Sequence, residues 1–461
     1  MKRFGFIAAL TAAVLLTGCS ASTYEGFTIP EEERTLTPVG ALTREVSYED
    51  IAPTEQTLAS FRSSDGLCVI EQKAHYYDVT LDLEHSDRRT AGSAYAEAIL
   101  AAVPDYPAIM EPYLYENIRF AFGDVNEESF TVLSERVTSL KASLDKDYQD
   151  ELDGFAETIS GGVHGYAEDG AISYEEALTI QMVPDALRGT ACSAVSLDGS
   201  RTTSGERITA RILEWYTGSA DQIAATHMVL HMKNGENTIH SISAIGMLSI
   251  ITGYNPDGVL VGILDVGCDD SEYVYEGKTC YTYALRHALE TYSTAHEIGE
   301  YMNDNCKQFT FCHNLLLSDR NEIYCAEDSV QLKMGKPALR SPETPLNDGL
   351  TFDAPGVFCI VNGYAVKGNC DCITNAPHNI VRWRKFEEWF GGEQLFSPGT
   401  FKSALACESE ENEDHSVDQV GASDVAFHIA ILDYGTNTVQ VSFTKPDAEG
   451  GAPDFITVDT L

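Results

Sequence analysis

Hydrophobic periodicity divides the chain into four stretches. The first is an apolar run from Phe4 to Leu16, preceded by Lys2 and Arg3 and followed by Thr17, Gly18 and Cys19. Residues 20–60 then lose any period: "TIPEEERTLTPVG" is rich in Thr, Glu and Pro, buries little apolar surface and reads as a tether. Between Arg89 and Ile180 apolar residues recur every three or four positions, which lines one face of a helix. "TAGSAYAEAILAAV" is Ala-rich, "FTVLSERVTSLKASL" keeps the spacing, and "SYEEALTIQMV" opens with a serine cap and an acidic first turn. After Gly189 short strand patterns take over. "ACSAVSLD", "RITARILEW", "THMVLHMK", "IHSISAI" and "GVLVGILD" are predicted strands, and "VAFHIAILDYGTNTVQVSFTK" is a predicted hairpin turning near Gly435. One long helix, "YTYALRHALETYSTAHEIGEYM", interrupts them, and a second, "VRWRKFEEWF", comes late. Strands in antiparallel order with helices grouped between them predict an α+β layered fold behind an N-terminal helical segment.

The opening run has the parts of a secretory signal: a basic region, an apolar core and a small-residue cleavage site. It is too short to span a bilayer with flanks to spare. "LTGCS" resembles a bacterial lipobox. That resemblance implies a signal peptide over residues 1–18, a diacylated Cys19 as the first mature residue, and an extracytoplasmic chain held on the membrane by its lipid. An ordinary secreted protein cut nearby is the other reading. Composition adds that the chain folds: 43% of residues are hydrophobic and 10% aromatic, over a length that suits two or three domains. With 71 acidic against 30 basic side chains the formal charge is −41, which repels phosphate backbones and argues against a nucleic-acid partner.

Of twelve cysteines, lipidation of Cys19 leaves an odd number, and an odd thiol in an oxidising compartment is a candidate reactive group. If that thiol is Cys192, the remaining ten are available for structural, disulfide-forming roles. Cys370 and Cys372 lack the spacing of a zinc site and read as structural. "ACSAVSLDGSRTTSGERITARILEW" reads as a hairpin around a polar loop from Asp198 to Glu206. A turn centred near Thr202 places Arg211 and Ile212 opposite Cys192, with Glu214 and Trp215 just beyond. A thiol beside a fixed cation ionises more easily, and the thiolate is the nucleophile. The same residues equally suit an ordinary half-buried strand cysteine, and the hairpin alone leaves both readings open. No G-x-S-x-G elbow, H-E-x-x-H pair or glycine-rich phosphate loop occurs. His227, His231, His240, His296, His313 and His378 have no distinguishing local context. Without a side-chain base, an α-amino group, with its pKa of about 7.7 to 8.0, could take the thiol proton, provided the chain is cut between Ala191 and Cys192.

Taken in order over roughly residues 88–445, these motifs resemble the N-terminal-nucleophile (Ntn) hydrolases that cleave linear amides. They are most similar to the penicillin acyltransferase-like group, with choloylglycine hydrolase and acid ceramidase as more distant relatives. "ELDGFAETISGGVHG" and "ISYEEALTIQ" are similar to the segment before the nucleophile, and "TACSAVS" to the nucleophile strand. The resemblance implies a four-layer αββα sandwich, with residues 61–191 as a helical pro-segment and 192–461 as the catalytic core. It implies Cys192 as nucleophile, with Arg211 and Glu214, from "ARILEW", flanking the thiol; Glu214 replaces the usual Asp with a longer arm. "ITGYNPDGVLVGIL" resembles a family strand connection that would make Asn255 an oxyanion-hole donor. Read by itself, Asn-Pro-Asp-Gly is also a good turn. "CITNAPH" resembles a T-N-x-P motif placing Asn375 near the nucleophile, and "VRWRKFEEWF" the helix after it, whose Arg382 and Arg384 could meet an anionic substrate or simply face solvent. The implied partner is a small N-acyl amide, cleaved without a metal or organic cofactor. Acyl transfer to another acceptor, or a non-catalytic binding lipoprotein, are the alternatives.

Overall fold

Alternating or continuous apolar strands must cover their faces, and here they do so in two sheets. The computed structural model describes residues 42–44, 46–187, 190–266, 273–329, 335–374, 376–406, 408–409, 426–445 and 452–461. The expected signal peptide, Cys19 and most of the expected tether therefore lie outside the described residues.

In chain order the strands are β1 (Leu42–Arg44), β2 (Ala59–Arg62), β3 (Cys68–Gln72), β4 (Tyr77–Asp82), β5 (Thr190–Leu197), β6 (Ile208–Trp215), β7 (His227–Lys233), β8 (Ile239–Ala244) and β9 (Thr252–Tyr254). They continue with β10 (Leu260–Asp265), β11 (His313–Ser318), β12 (Ile323–Asp328), β13 (Ala338–Arg340), β14 (Val357–Ile360), β15 (Glu408–Ser409), β16 (Ala426–Asp433), β17 (Thr438–Phe443) and β18 (Phe455–Thr460). A ten-stranded sheet has the order β13-β12-β11-β10-β9-β8-β7-β4-β3-β2, and a six-stranded sheet the order β14-β5-β6-β16-β17-β18. Every pairing within these two sheets is antiparallel except β4 with β7.

The sheets pack face to face. Polar pairs cross between them: Thr209 Oγ1 lies 2.8 Å from Ser318 Oγ, and His428 Nε2 lies 3.0 Å from Thr252 Oγ1. Helices cover the outer faces. On the large sheet, α1 (Arg88–Ala102) packs against β2 and β3. Further along the same sheet, α7 (Tyr281–Thr291) leads into α8 (Ala295–Asn305), which packs on β11, β12 and β13. On the small sheet, α9 (Pro377–Phe390) lies over β14 and β5, and α10 (Pro398–Leu405) follows it. The result is the four-layer αββα sandwich, an α+β fold. Both faces of β6, β10 and β16 are covered, so these strands are buried at every position and read as apolar runs rather than alternation.

The helical stretch forms α2 (Tyr106–Phe122), α3 (Glu127–Ser143), α4 (Lys146–Ser160), α5 (Tyr174–Gln181) and α6 (Val183–Ala186) beside α1. Ser173 caps α5, and Glu176 returns the bond to the cap's own N–H, as the serine and acidic first turn predict. Helices α1 and α4 cross at a pair of glycines. A Cβ on Gly92 would sit 2.0 Å from Glu151 O, and one on Gly154 1.9 Å from Arg89 O. Among the described residues no helix is long and apolar enough to cross a membrane.

Four expectations are corrected. The long helix 281–302 is two helices, because Thr294 accepts the Glu297 N–H and starts a new helix where the apolar spacing runs on unbroken. The tether ends well before residue 60: Ala52 is buried, Asp50 Oδ1 accepts Gly399 N–H at 2.9 Å, and Thr457 N–H donates to Pro53 O at 2.8 Å. The segment before Cys192 is not purely helical, since β2, β3 and β4 extend the large sheet through β7. Cys68, Cys192, Cys280, Cys306, Cys325 and Cys359 are buried free thiols, so parity of disulfides does not single out Cys192; they pack as small apolar side chains.

Candidate active site

Strand β5 carries Cys192 into the layer between the sheets, where it is fully buried. Its partner on β6 is Leu213, and Arg211 pairs with Ala194. The register is thus one residue away from that expected. Because cross-strand partners share a face and side chains alternate, Arg211, two residues from Leu213, lies on the same face as Cys192, toward the large sheet, as its diagonal neighbour. Arg211 is itself buried; its guanidinium donates to Ile212 O and, at 2.5 Å, to Ile263 O on β10. It passes over Gly262, where a Cβ would stand 2.7 Å from its Cδ and Nε, so glycine leaves the corridor this cation needs. Burial pushes the Cys192 thiol up, and the Arg211 charge opposes that shift.

Glu214 pairs across the ladder with Ala191 and is turned toward α9. It is buried, which raises its carboxyl, while Arg382 and Arg211 pull it down. Its Oε2 lies 3.7 Å from Arg382 Nη1, and its Oε1 has no partner among the described residues.

Arg382, from α9, is not on a solvated helix face but fully buried. Its Nη1 donates to Cys192 O at 2.7 Å and to Ser193 Oγ at 3.3 Å; its Nη2 donates to Asn362 Oδ1 at 2.7 Å and Asn379 Oδ1 at 2.8 Å. Asn362 Oδ1 also accepts the Cys192 N–H at 3.0 Å, and its Nδ2 donates to Asp265 O at 2.6 Å. The backbone of Cys192 is therefore held on both sides, its N–H by Asn362 and its carbonyl by Arg382.

The structure does not bring Asn255 to the thiol. It opens the β9–β10 turn: its Oδ1 accepts Val259 N–H, its Nδ2 donates to Tyr292 O and Leu289 O, and Gly258 N–H donates to its carbonyl. This is the end of β10 opposite Asp265, so the turn reading holds and the oxyanion-donor expectation is withdrawn. Arg384 does not reach the site either; it donates to Thr351 and pairs with Glu387 at 2.8 Å. Asn375 lies outside the described residues.

No family model matches the chain, and no curated protein matches it. Several solved structures are similar over part of it. One is the Caenorhabditis elegans ortholog of N-acylethanolamine-hydrolyzing acid amidase, at 10% identity over 56% of this chain and 95% of that one, with a TM-score of 0.36. Another is a mutant of conjugated bile acid hydrolase from Clostridium perfringens, at 13% identity over 58% and 92%, TM-score 0.36. A third is penicillin V acylase from Agrobacterium tumefaciens, at 13% identity over 58% and 86%, TM-score 0.34.

Sequence reasoning missed Asn362 and Asn379. Asn362 follows the apolar strand β14 in "FCIVNG", a polar residue where the pattern predicts a loop. Asn379 stands one helical turn before Arg382, the (i, i+3) spacing that puts both on one face of α9. The assembly can hold a thiol, a fixed cation and an immobilised backbone nitrogen in one dry place. A histidine hydrogen-bonded to the thiol is absent among the described residues.

Proposed function

We propose that this chain is a cysteine amidohydrolase of the N-terminal-nucleophile kind, made as a precursor that cuts itself between Ala191 and Cys192. The two-sided grip on the Cys192 backbone carries the reading, because a nucleophile that supplies its own base needs that nitrogen held in place. In the cleavage step Cys192 Sγ attacks the Ala191 carbonyl carbon. The C–N bond breaks as the C–S bond forms, the nitrogen takes the thiol proton, and water then hydrolyses the thioester to free the Ala191 carboxylate and the Cys192 thiol.

The liberated nitrogen keeps Asn362 Oδ1 as acceptor and gains a lone pair to receive the thiol proton. Arg211 stabilises the thiolate. Glu214, opposite the departing Ala191, meets the new ammonium and offsets its charge. The thiolate attacks a linear amide, the amine leaves with the proton from the α-ammonium, and water releases the acid. Lipidation of Cys19 and placement on the outer side of a membrane belong to the same proposal, supported by "LTGCS".

Intact mass under reducing conditions tests it. The purified chain should give two fragments, one beginning at Cys192, and Cys192→Ala a single uncut chain. An uncut chain in both proteins would remove the α-amine base and the reading with it.

A further inference from the structure

At the far edge of the small sheet, four strands from β5, a cavity of about 390 Å³ opens between the two sheets, lined by Asp78, His231, Lys233, His240 and Asp459 among others. His231 on β7 and His240 on β8 are a directly opposed cross-strand pair, with their Nδ1 atoms 2.6 Å apart. Asp459 reaches them from β18 of the other sheet; its Oδ2 lies 3.9 Å from His231 Nδ1 and 3.8 Å from His240 Nδ1. We propose that His231, His240 and Asp459 bind a divalent transition-metal ion of the Zn²⁺ class, clamping the two sheets together at this edge.

Two imidazole nitrogens and a carboxylate are the donor set that such ions take. The three ligand atoms lie within 4.8 Å of one another. With bonds of about 2.0–2.1 Å, tetrahedral ligand atoms stand about 3.4 Å apart, so the measured spacings bracket what an ion requires. Binding would part the imidazoles by less than about 1 Å and draw the carboxylate in by a similar amount.

The surroundings orient each ligand. Asp78 Oδ1 lies 3.2 Å from His231 Nε2, and a proton held there leaves Nδ1 bare toward the cavity. The Tyr254 hydroxyl donates to Asp459 Oδ2 at 2.8 Å, and its ring stacks on His240 at 4.6 Å between centroids. The cavity leaves room for water to complete the coordination shell. His231 and His240 carry no sequence signal of a shared site, because the hairpin register alone brings them face to face.

The test uses the full chain carrying Cys192→Ala, which removes the candidate nucleophile as a competing ligand and makes the result independent of amide chemistry. Chelator-stripped protein titrated with Zn²⁺ should bind one equivalent with micromolar or tighter affinity and melt at a higher temperature. Co²⁺ should give a ligand-field spectrum without a thiolate charge-transfer band. His240→Ala and Asp459→Asn should each weaken Zn²⁺ binding about 100-fold or more, and Asp78→Asn roughly 10- to 100-fold, with metal-free melting retained. Asp459→Asn, on an edge strand, serves if His240→Ala does not fold. Undiminished binding in the folded variants, a thiolate band, or no binding below millimolar Zn²⁺ would each overturn the proposal.

Discussion

One buried carboxyl shows how a single residue can set pH behaviour. Asp185 on α6 accepts Thr282 Oγ1 at 2.6 Å in the first turn of α7, while its Oδ1 has no partner among the described residues, and burial pushes its carboxyl up to about 7. In the unfolded chain the same group ionises near pH 4. Its folded-state pKa is raised, so its stabilising contribution is fully present below about pH 4 and is lost as pH rises through about 7, by roughly 4 kcal/mol at most. Asp185→Asn keeps an acceptor for Thr282 and has nothing to ionise. The melting temperature of the parent should therefore fall relative to that of the variant between pH 4.5 and 7.5; a difference that stays constant across this range would remove the argument. At the same scale, the parts of the candidate site that were legible lie close together in sequence. Cys192, Arg211 and Glu214 belong to one hairpin, whereas Asn362 and Arg382 arrive from about 170 and 190 residues away. Nothing in the local pattern around either residue announces that journey.

Elements were legible where burial imposes a period. Strands β5, β6, β7, β8, β10, β16 and β17 all stand within a residue or two of their predicted positions. Their pairing was less so. The β5–β6 loop contains a 3₁₀ turn at Gly199–Arg201, capped by Asp198, which makes the loop asymmetric and moves the register by one residue from a turn centred on Thr202. With Ile212 opposite Cys192, as that turn would have it, Arg211 would face away from the thiol; the one-residue shift puts Leu213 opposite and Arg211 on the same face as Cys192. Between helices, the contact of α1 with α4 depends on two glycines that a propensity scale penalises. Gly92→Ala or Gly154→Ala places a methyl against a carbonyl oxygen of the partner helix, and each should cost about 3 kcal/mol or more, read as a lower urea midpoint with an unchanged slope. A midpoint equal to that of the parent would mean that the helices separate at no cost.

For the whole molecule, the position of the proposed cut matters more than the cut itself. Residues before Ala191 supply β2, β3 and β4, and β4 pairs with β7 from Tyr77–Met228 to Asp82–Lys233, so cleavage leaves the two pieces sharing one ten-stranded sheet. The fragments should elute as one species in gel filtration and part only in denaturant; separate elution under native conditions would contradict this topology. The layered class was legible in the sequence. This parallel strand pair was not, because its partners lie far apart in the chain and its cost in loop closure leaves no local trace.

That shared sheet would make the proposed processing a one-way step in folding. The uncut chain would find the β4–β7 register as a single tethered molecule, with the high effective concentration that a covalent connection provides. Once cut and fully unfolded, the same halves must meet by diffusion, while the unpaired edge of β7 offers its backbone to any other strand nearby. The mature protein would then owe its persistence to slow unfolding rather than to a reversible equilibrium, with the precursor as the only form able to fold efficiently.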